Sequence, residues 1–132
     1  MITESIIDVS EIREYHAHVY YDRHSESVAA WLREQLDARF NVVLGRWKDR
    51  PVGPHPRPMY QVAFGPEEFP GVVPFLMLNR RGLVILVHPD SGYGHAGDHA
   101  HRALWLGEVL PLDIPYLEEY DWELRSRGEL RS

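Results

Sequence analysis

Histidine is the residue type with the greatest chemical potential in this sequence. The 132 residues include eight histidines and no cysteine, which excludes thiolate catalysis and a cysteine-built zinc site within them. Neutral imidazole is a common ligand for iron, zinc and copper, and histidine also titrates near neutral pH. Two of the eight, His16 and His18, stand in the stretch YHAHVYYD. The residue type therefore suggests metal binding, proton transfer or both.

The stretch YHAHVYYD has the composition of a β-strand, which we predict over residues 15–21. Alternate side chains of a strand project from the same face. His16 and His18 therefore share one face with Tyr20, whereas the side chains at 17, 19 and 21 belong to the other. Two imidazoles on one side of a largely apolar strand are suited to holding one ion.

Three more histidines lie at the ends of predicted elements. His55 lies in KDRPVGPHPRP, a loop stiffened by four prolines, His88 follows an aliphatic strand, and His99 follows the glycine-rich DSGYGHAGD. Any one of them, taken singly, is more often a satisfied core or loop residue. Several such histidines together in a small cysteine-free chain favour a metal site.

The elements that must position these histidines follow from hydrophobic spacing. Apolar residues at 28, 31, 32, 36 and 40 have helical periodicity, and the run 83–87 is almost purely aliphatic. The predicted order is β-α-β-β-α-β, a ferredoxin-like α+β fold, with strands at 15–21, 40–47, 59–64 and 83–87 and helices at 25–39 and 71–80. We predict a single domain over 1–132, with a loose N-terminal arm (1–13), a catalytic core (14–112) and a charged, partly helical C-terminal tail (113–132).

The predicted fold brings distant histidines together. Its first strand is central and antiparallel to the third and fourth, so His88 should approach His16. The start of the third strand should likewise bring His55 towards His18. Because both helices would cover one sheet face, the other must be covered by a second chain, the C-terminal segment or a ligand.

Charge and hydropathy narrow the range of partners. The formal net charge is −6 and the arginines are scattered, so nucleic-acid binding is not expected. No apolar run approaches the roughly 20 residues that span a bilayer, and no secretory signal opens the sequence. We therefore expect no membrane partner and a cytoplasmic location.

Four motifs occur in order and carry a resemblance: YHAHVYYD, GPHPRPMYQVAF, VHPDSG and DHAHRALWLG. Over residues 15–112 the sequence resembles the DOPA 4,5-dioxygenase family, with a mild departure at Ser91-Gly92, where Thr-Gly is usual. The resemblance implies a dimeric, ferredoxin-like α+β barrel-like protein that opens a catechol ring with O2 at non-haem Fe(II). It maps the family's histidines onto His16, His18, His55, His88 and His99.

Within that resemblance we assign roles as hypotheses. Three protein ligands leave places for both catechol oxygens and for O2, and we predict His16, His18 and His88 as these ligands. Asp98 or Asp22 stays open as a carboxylate ligand. The predicted acid–base residues are His55 and His99. The predicted substrate-binding residues are Tyr20, Tyr60 and Arg57, with Arg102 as another possible partner for a substrate carboxylate.

Two other classes of function stay open. The same scaffold is used by cofactor-free monooxygenases, which rely on histidines and an apolar pocket. A non-catalytic module that binds a metal or a small aromatic ligand would also fit. The metal content of the purified protein distinguishes a cofactor-free monooxygenase from a metal-dependent dioxygenase. Absence of O2 consumption with catechols and Fe(II) would favour the binding module.

Overall fold

A computed structural model describes residues 5–132, so the first four residues of the predicted N-terminal arm lie outside the described part. The five strands are β1 (Glu14–Tyr20), β2 (Val43–Leu44), β3 (Met59–Phe64), β4 (Ile85–Asp90) and β5 (Leu104–Leu106). The four α-helices are α1 (Glu26–Arg39), α2 (Phe69–Asn79), α3 (His95–His99) and α4 (Ile114–Ser126).

The five strands form one sheet in the order β2-β3-β1-β4-β5, and each neighbouring pair is antiparallel. The first four strands have the ferredoxin-like arrangement, in which β1 is central and β3 separates it from β2. The predicted fold class is therefore confirmed. The apolar stretch after residue 102 adds β5 beside β4, which extends the predicted sheet by one strand.

The two faces of the sheet pack against different parts of the chain. Ala17 and Val19 of β1 lie on the face covered by α1 and α2, where Leu32, Leu36, Val72 and Leu76 complete a buried core. Burying each large aliphatic side chain contributes about 1.5–3 kcal/mol. Tyr20 and Leu86 lie on the opposite face in a smaller cluster with Leu110, which follows β5. The C-terminal segment thus supplies part of the cover that the helix-free face requires.

Several boundaries differ from the sequence prediction. The second strand is two residues long, not eight. Beyond Leu44 its pairing with β3 is irregular: the Gly45 N–H donates to the Gln61 carbonyl at 2.7 Å, and Lys48 forms an isolated bridge with Met59. Val43 remains 71% exposed. Helix α2 begins at Phe69. Pro70 suits its first turn, whereas Pro74 lies inside the helix, where it has no N–H to donate to the Pro70 carbonyl. Strand β4 runs on to Asp90, so His88 lies within the strand.

The segment after β4 is more ordered than its composition suggests. The glycine-rich stretch contains α3, whose first backbone N–H groups, those of His95 and Ala96, donate to the Asp121 carboxylate at 2.8 and 2.9 Å. Asp121 lies in α4 and is buried. The predicted charged tail is therefore a helix that supports α3. Among residues 5–132, no helix is both long and apolar enough to cross a lipid bilayer.

Candidate metal centre

Strand pairing brings three histidines to the helix-free face of the sheet. In the β1–β4 register His16 lies opposite His88, and His18 follows two residues along β1 on the same face. The Nε2 atoms of His18 and His88 are 3.0 Å apart. Two nitrogens that bind one ion at about 2.1 Å and at a right angle would be separated by about the same distance.

Loops bring His55 and His99 against the same group. The His55 ring centroid lies 4.2 Å from that of His18, and the His99 ring centroid lies 3.8 Å from that of His88. The Tyr20 hydroxyl and His55 Nδ1 form a hydrogen bond of 2.7 Å. We call these five residues (His16, His18, His55, His88 and His99) the histidine cluster. All five histidines selected from the sequence are therefore brought together.

Backbone carbonyls fix the tautomers of two histidines in the cluster. His88 Nδ1 lies 2.9 Å from the Pro89 carbonyl oxygen, and His99 Nδ1 lies 2.8 Å from that of His95. Because a carbonyl oxygen only accepts, each Nδ1 must carry the proton and donate. Each Nε2 then carries a lone pair that can bind a metal ion or accept a proton; in the structure the lone pair of His88 Nε2 accepts a hydrogen bond from His18 Nε2 at 3.0 Å. Such an outer hydrogen bond is the usual way in which proteins orient ligand histidines.

The donor atoms fit a divalent metal ion. Two overlapping trios, His16–His18–His88 and His18–His55–His99, each offer ligand atoms within 4.8 Å of one another. Within the described residues, His18 Nδ1 is buried without a hydrogen-bond partner, which costs about 1–3 kcal/mol. His18 thus has two nitrogens to offer an ion: Nε2, which lies beside His88 Nε2, and Nδ1, which has no partner in the described part of the chain. Imidazole nitrogen suits iron, zinc, copper and nickel better than calcium or magnesium.

Burial keeps four histidines of the cluster, His18, His55, His88 and His99, neutral at physiological pH. Desolvation lowers the pKa of His18 and of His88 well below the ordinary value, and the neighbouring histidines lower both further. Desolvation and His99 lower the pKa of His55 to about 4. Desolvation also lowers the pKa of His99. Neutral imidazoles are the form that binds metal or accepts a proton.

The metal-free protein should lose stability as the pH falls from about 6.5 towards 4. The unfolded chain takes up protons on its histidines from about pH 6.5. In the folded chain the lowered pKa values of His18, His55, His88 and His99 keep these four neutral to lower pH. Each histidine charged only in the unfolded state lowers the free energy of unfolding by up to about 1.4 kcal/mol per pH unit. Urea unfolding at pH 7.5, 6.5, 5.8 and 5.0 measures this slope.

A matched pair of variants assigns that slope to the cluster. His55→Gln should reduce it, because one buried titrating group is removed, while His24→Gln, at an exposed position, should leave it unchanged. A free energy of unfolding that is flat between pH 7.5 and 5.0 would contradict the prediction. Carboxylates contribute mainly at lower pH, because their ordinary pKa values lie near 4.

The predicted substrate residues are separated by the sheet. Tyr20 lies on the cluster face, and burial raises its pKa, so its phenol keeps its proton at neutral pH. Tyr60 pairs with Val19 and lies on the helix-covered face, where its hydroxyl donates to the Ala29 carbonyl at 2.8 Å. This position does not support the predicted substrate role of Tyr60, since β3 turns its side chain away from the cluster.

Arg57 lies at the rim of a cleft whose volume is about 330 Å³ and whose wall includes Tyr20. Its guanidinium donates to Glu108 at 3.0 Å and its side chain is 45% exposed. Both its charge and its accessibility suit a carboxylate on a bound molecule. Arg102 is less accessible: its side chain is 24% exposed, and it donates to the buried Asp98 at 2.7 Å and to the Gly94 carbonyl.

Neither carboxylate left open by the sequence lies in a histidine trio. Asp98 is buried, and it accepts hydrogen bonds from the Ser91 backbone and hydroxyl at 2.9 and 2.7 Å in addition to Arg102. Asp22 is exposed and accepts from backbone N–H groups before α1. Asp98 thus ties the end of β4 to α3, which carries His99. The sequence contained this residue but gave no signal for its structural role.

An apolar groove opens beside His99. Its volume is about 150 Å³, and its walls include Trp105, Leu110 and Leu112. The Trp105 ring also stacks on Tyr20, with centroids 6.0 Å apart. A small aromatic ring would bury apolar surface here next to an imidazole with a free nitrogen. Trp105 lies in the motif DHAHRALWLG, but sequence analysis did not select it as a site residue.

The fold and the site define a class: a ferredoxin-like α+β protein with a cluster of five histidines, four of them buried, that is able to hold a metal ion. The family model of the Dopa 4,5-dioxygenase family matches residues 15–116. The chain belongs to this family, which confirms the resemblance seen in its motifs.

Similar proteins agree with this assignment. The chain is 35% identical over 123 residues to a DOPA 4,5-dioxygenase of Amanita muscaria, covering 86% of this chain and 53% of that protein. It is 34% identical over 111 residues to an uncharacterized 21.2 kDa protein of Botryotinia fuckeliana, covering 76% and 61% respectively. The chain thus spans between about half and three-fifths of these curated relatives. A crystal structure of a candidate dioxygenase from Nostoc punctiforme matches with a TM-score of 0.84 and 57% identity, covering 86% of this chain and 97% of that one.

Proposed function

We propose that the protein is an extradiol dioxygenase that opens the ring of a DOPA-like catechol with O2. The observation that carries the proposal is the histidine cluster, which gathers five imidazoles from two strands, a loop and a short helix. Membership of the Dopa 4,5-dioxygenase family supports the reaction class. The name of the Amanita relative supports the substrate class.

The ligands that we assign are His16, His18 and His88, and the proposed ion is Fe(II). When bound, Fe(II) supplies the Lewis acidity that favours the catecholate and the redox chemistry that O2 requires. Three neutral ligands leave the positive charge of the ion uncompensated, which favours an anionic substrate. His18 and His88 are held by paired strands, so the sheet fixes their separation before any ligand binds.

His55 and His99 are the proposed proton carriers. His99 Nε2 is free because its Nδ1 donates to the His95 carbonyl, and it borders the apolar groove. It can accept a proton from a catechol hydroxyl and return it later in the reaction. His55 is held by Tyr20 through the bond at Nδ1, which keeps its imidazole oriented towards His18. Both residues start neutral, as a base must.

The groove beside His99 would hold the aromatic ring and exclude water. Trp105, Leu110 and Leu112 offer apolar contact for the ring. Arg57 lines a separate cleft whose wall includes Tyr20, and there its partly exposed guanidinium, paired with Glu108, would hold the carboxylate of a substrate side chain. Apolar walls beside a charged group strengthen its interaction with the protein, because the local dielectric constant is lower than in water.

An oxygen-electrode screen tests the function directly. Protein loaded anaerobically with Fe(II) should consume O2 with one or more catechols, and one equivalent of yellow ring-opened product should form per O2. His18→Ala treated in the same way should show neither signal. O2 uptake by chelator-treated wild-type protein at the full rate would favour a cofactor-free monooxygenase. Absence of uptake with every catechol, despite stoichiometric Fe(II), would favour a binding module.

A further inference from the structure

A carboxylate lies beside the most exposed histidine of the cluster. Glu14 Oε2 is 2.8 Å from His16 Nε2, and both residues lie on the same face of β1. The side chains are 43% and 23% exposed respectively. The other assigned ligands are fixed differently: His88 is held by a backbone carbonyl, and His18 Nδ1 has no partner among the described residues.

The contact determines which nitrogen of His16 is free. An ionised carboxylate only accepts hydrogen bonds, so His16 Nε2 must carry the proton that it donates. His16 Nδ1 is then deprotonated and has a lone pair for a metal ion. Without the carboxylate, the ring could rotate or adopt the other tautomer, because backbone pairing fixes the main chain of His16 but not its imidazole.

The contact between Glu14 and His16 differs from an ordinary surface ion pair because His16 is an assigned metal ligand. A partly exposed ion pair usually contributes little to stability, so Glu14 would matter little to folding. A carboxylate that accepts from a ligand imidazole, by contrast, orients the ring and increases its basicity, and losing such a partner commonly weakens metal binding about 10–100-fold.

We propose that Glu14 is a positioning residue that holds His16 as an Nδ1 ligand and thereby sets the metal affinity of the centre. The inference rests on the ligand trio of the proposed function, but not on the identity of the substrate. It can therefore be measured by metal binding alone.

The test uses Zn(II) as the probe, with a chromogenic chelator as competitor, on the full chain. Glu14→Ala should weaken Zn(II) binding about 10–100-fold, and Glu14→Gln, whose amide oxygen can still accept, should weaken it less. Glu34→Ala, which removes an exposed carboxylate from α1, should bind as the wild type does. Urea unfolding of the metal-free variants should show little change.

A double-mutant cycle separates positioning from a general effect of charge. If Glu14 acts through His16, the losses in Glu14→Ala and His16→Ala should not add in the double variant. Nitrogen-15 NMR of the metal-free wild type should show His16 protonated at Nε2, and Glu14→Ala should show a tautomer mixture. Unchanged Zn(II) affinity in Glu14→Ala or His16→Ala, or fully additive losses, would overturn the proposal. Failure of every catechol to react would overturn the proposed function and leave these affinities interpretable.

Discussion

His18→Ala is expected to abolish tight metal binding and, with it, turnover. His18 belongs to both trios, so neither arrangement keeps three histidines without it. We expect at least a 100-fold loss of Fe(II) or Zn(II) affinity and the loss of detectable ring cleavage. His88→Ala should show the same metal loss if the ion lies in the assigned trio, because it removes the partner whose Nε2 lies 3.0 Å from that of His18.

Metal-dependent stabilisation measures this loss without an activity assay. An ion at 100 times its dissociation constant stabilises the folded wild type by about 2.7 kcal/mol, whereas His18→Ala should gain almost nothing at that concentration. His24→Ala and His101→Ala, at exposed positions, are the matched controls and should keep the full gain. His18→Asn provides a second variant that fills more of the space. Full, tightly bound iron in both His18→Ala and His88→Ala would contradict the ligand assignment.

His99→Ala should lose about 100- to 10,000-fold in kcat while the metal content stays at the wild-type level. Positioned general acid–base groups contribute effects of that size, and His99 is the histidine beside the apolar groove. His55→Ala should behave in the same way. Rates from single turnovers, with iron content measured on the same samples, separate proton transfer from metal loss.

Tyr20, the last residue of β1, and Tyr21, which follows it, provide a matched pair of variants that tests the role of His55. Tyr20→Phe removes the hydroxyl that holds His55 and should lower turnover. Tyr21→Phe removes a hydroxyl that donates to the Lys48 carbonyl at 3.0 Å, so its turnover should match that of the wild type.

If His55→Ala and His99→Ala both lose the metal while His88→Ala keeps it, the ion belongs to the His18–His55–His99 trio and the predicted roles are exchanged.

The sequence carried most of the information on the sheet and the histidines. Alternation in β1 placed Ala17 and Val19 opposite His16 and His18, and the order of elements predicted the central position of β1. Antiparallel pairing then required His88 to approach His16. These inferences succeeded because the period of a strand and the topology of a known fold depend on residue spacing and order.

The face on which Tyr60 lies shows a limit of that approach. The bounds of β3 were predicted correctly, yet the side of Tyr60 follows from its pairing with Val19. A shift of one residue in register would have turned Tyr60 towards the histidines. Register is set by contacts between distant segments, so the sequence of β3 alone did not settle it.

The support of His99 shows a second limit. DSGYGHAGD has the composition of a loop, and EEYDWE that of a solvated tail. In the structure Asp121 of that tail caps α3, and Asp98 joins α3 to Ser91 and Arg102. Buried carboxylates of this kind look like ordinary charged residues in sequence, because their partners come from other elements.

The sequence by itself determined the fold class, the family and the five histidines, since each depends on residue type, spacing and order along the chain. The tertiary structure decided which nitrogens are free, which faces carry Tyr20 and Tyr60, and which groove borders His99. The strand register and the walls of the groove are set by contacts between residues that are far apart in sequence, and the histidine tautomers by hydrogen bonds of the folded chain. They exist only once the strands have paired and α4 has packed against α3.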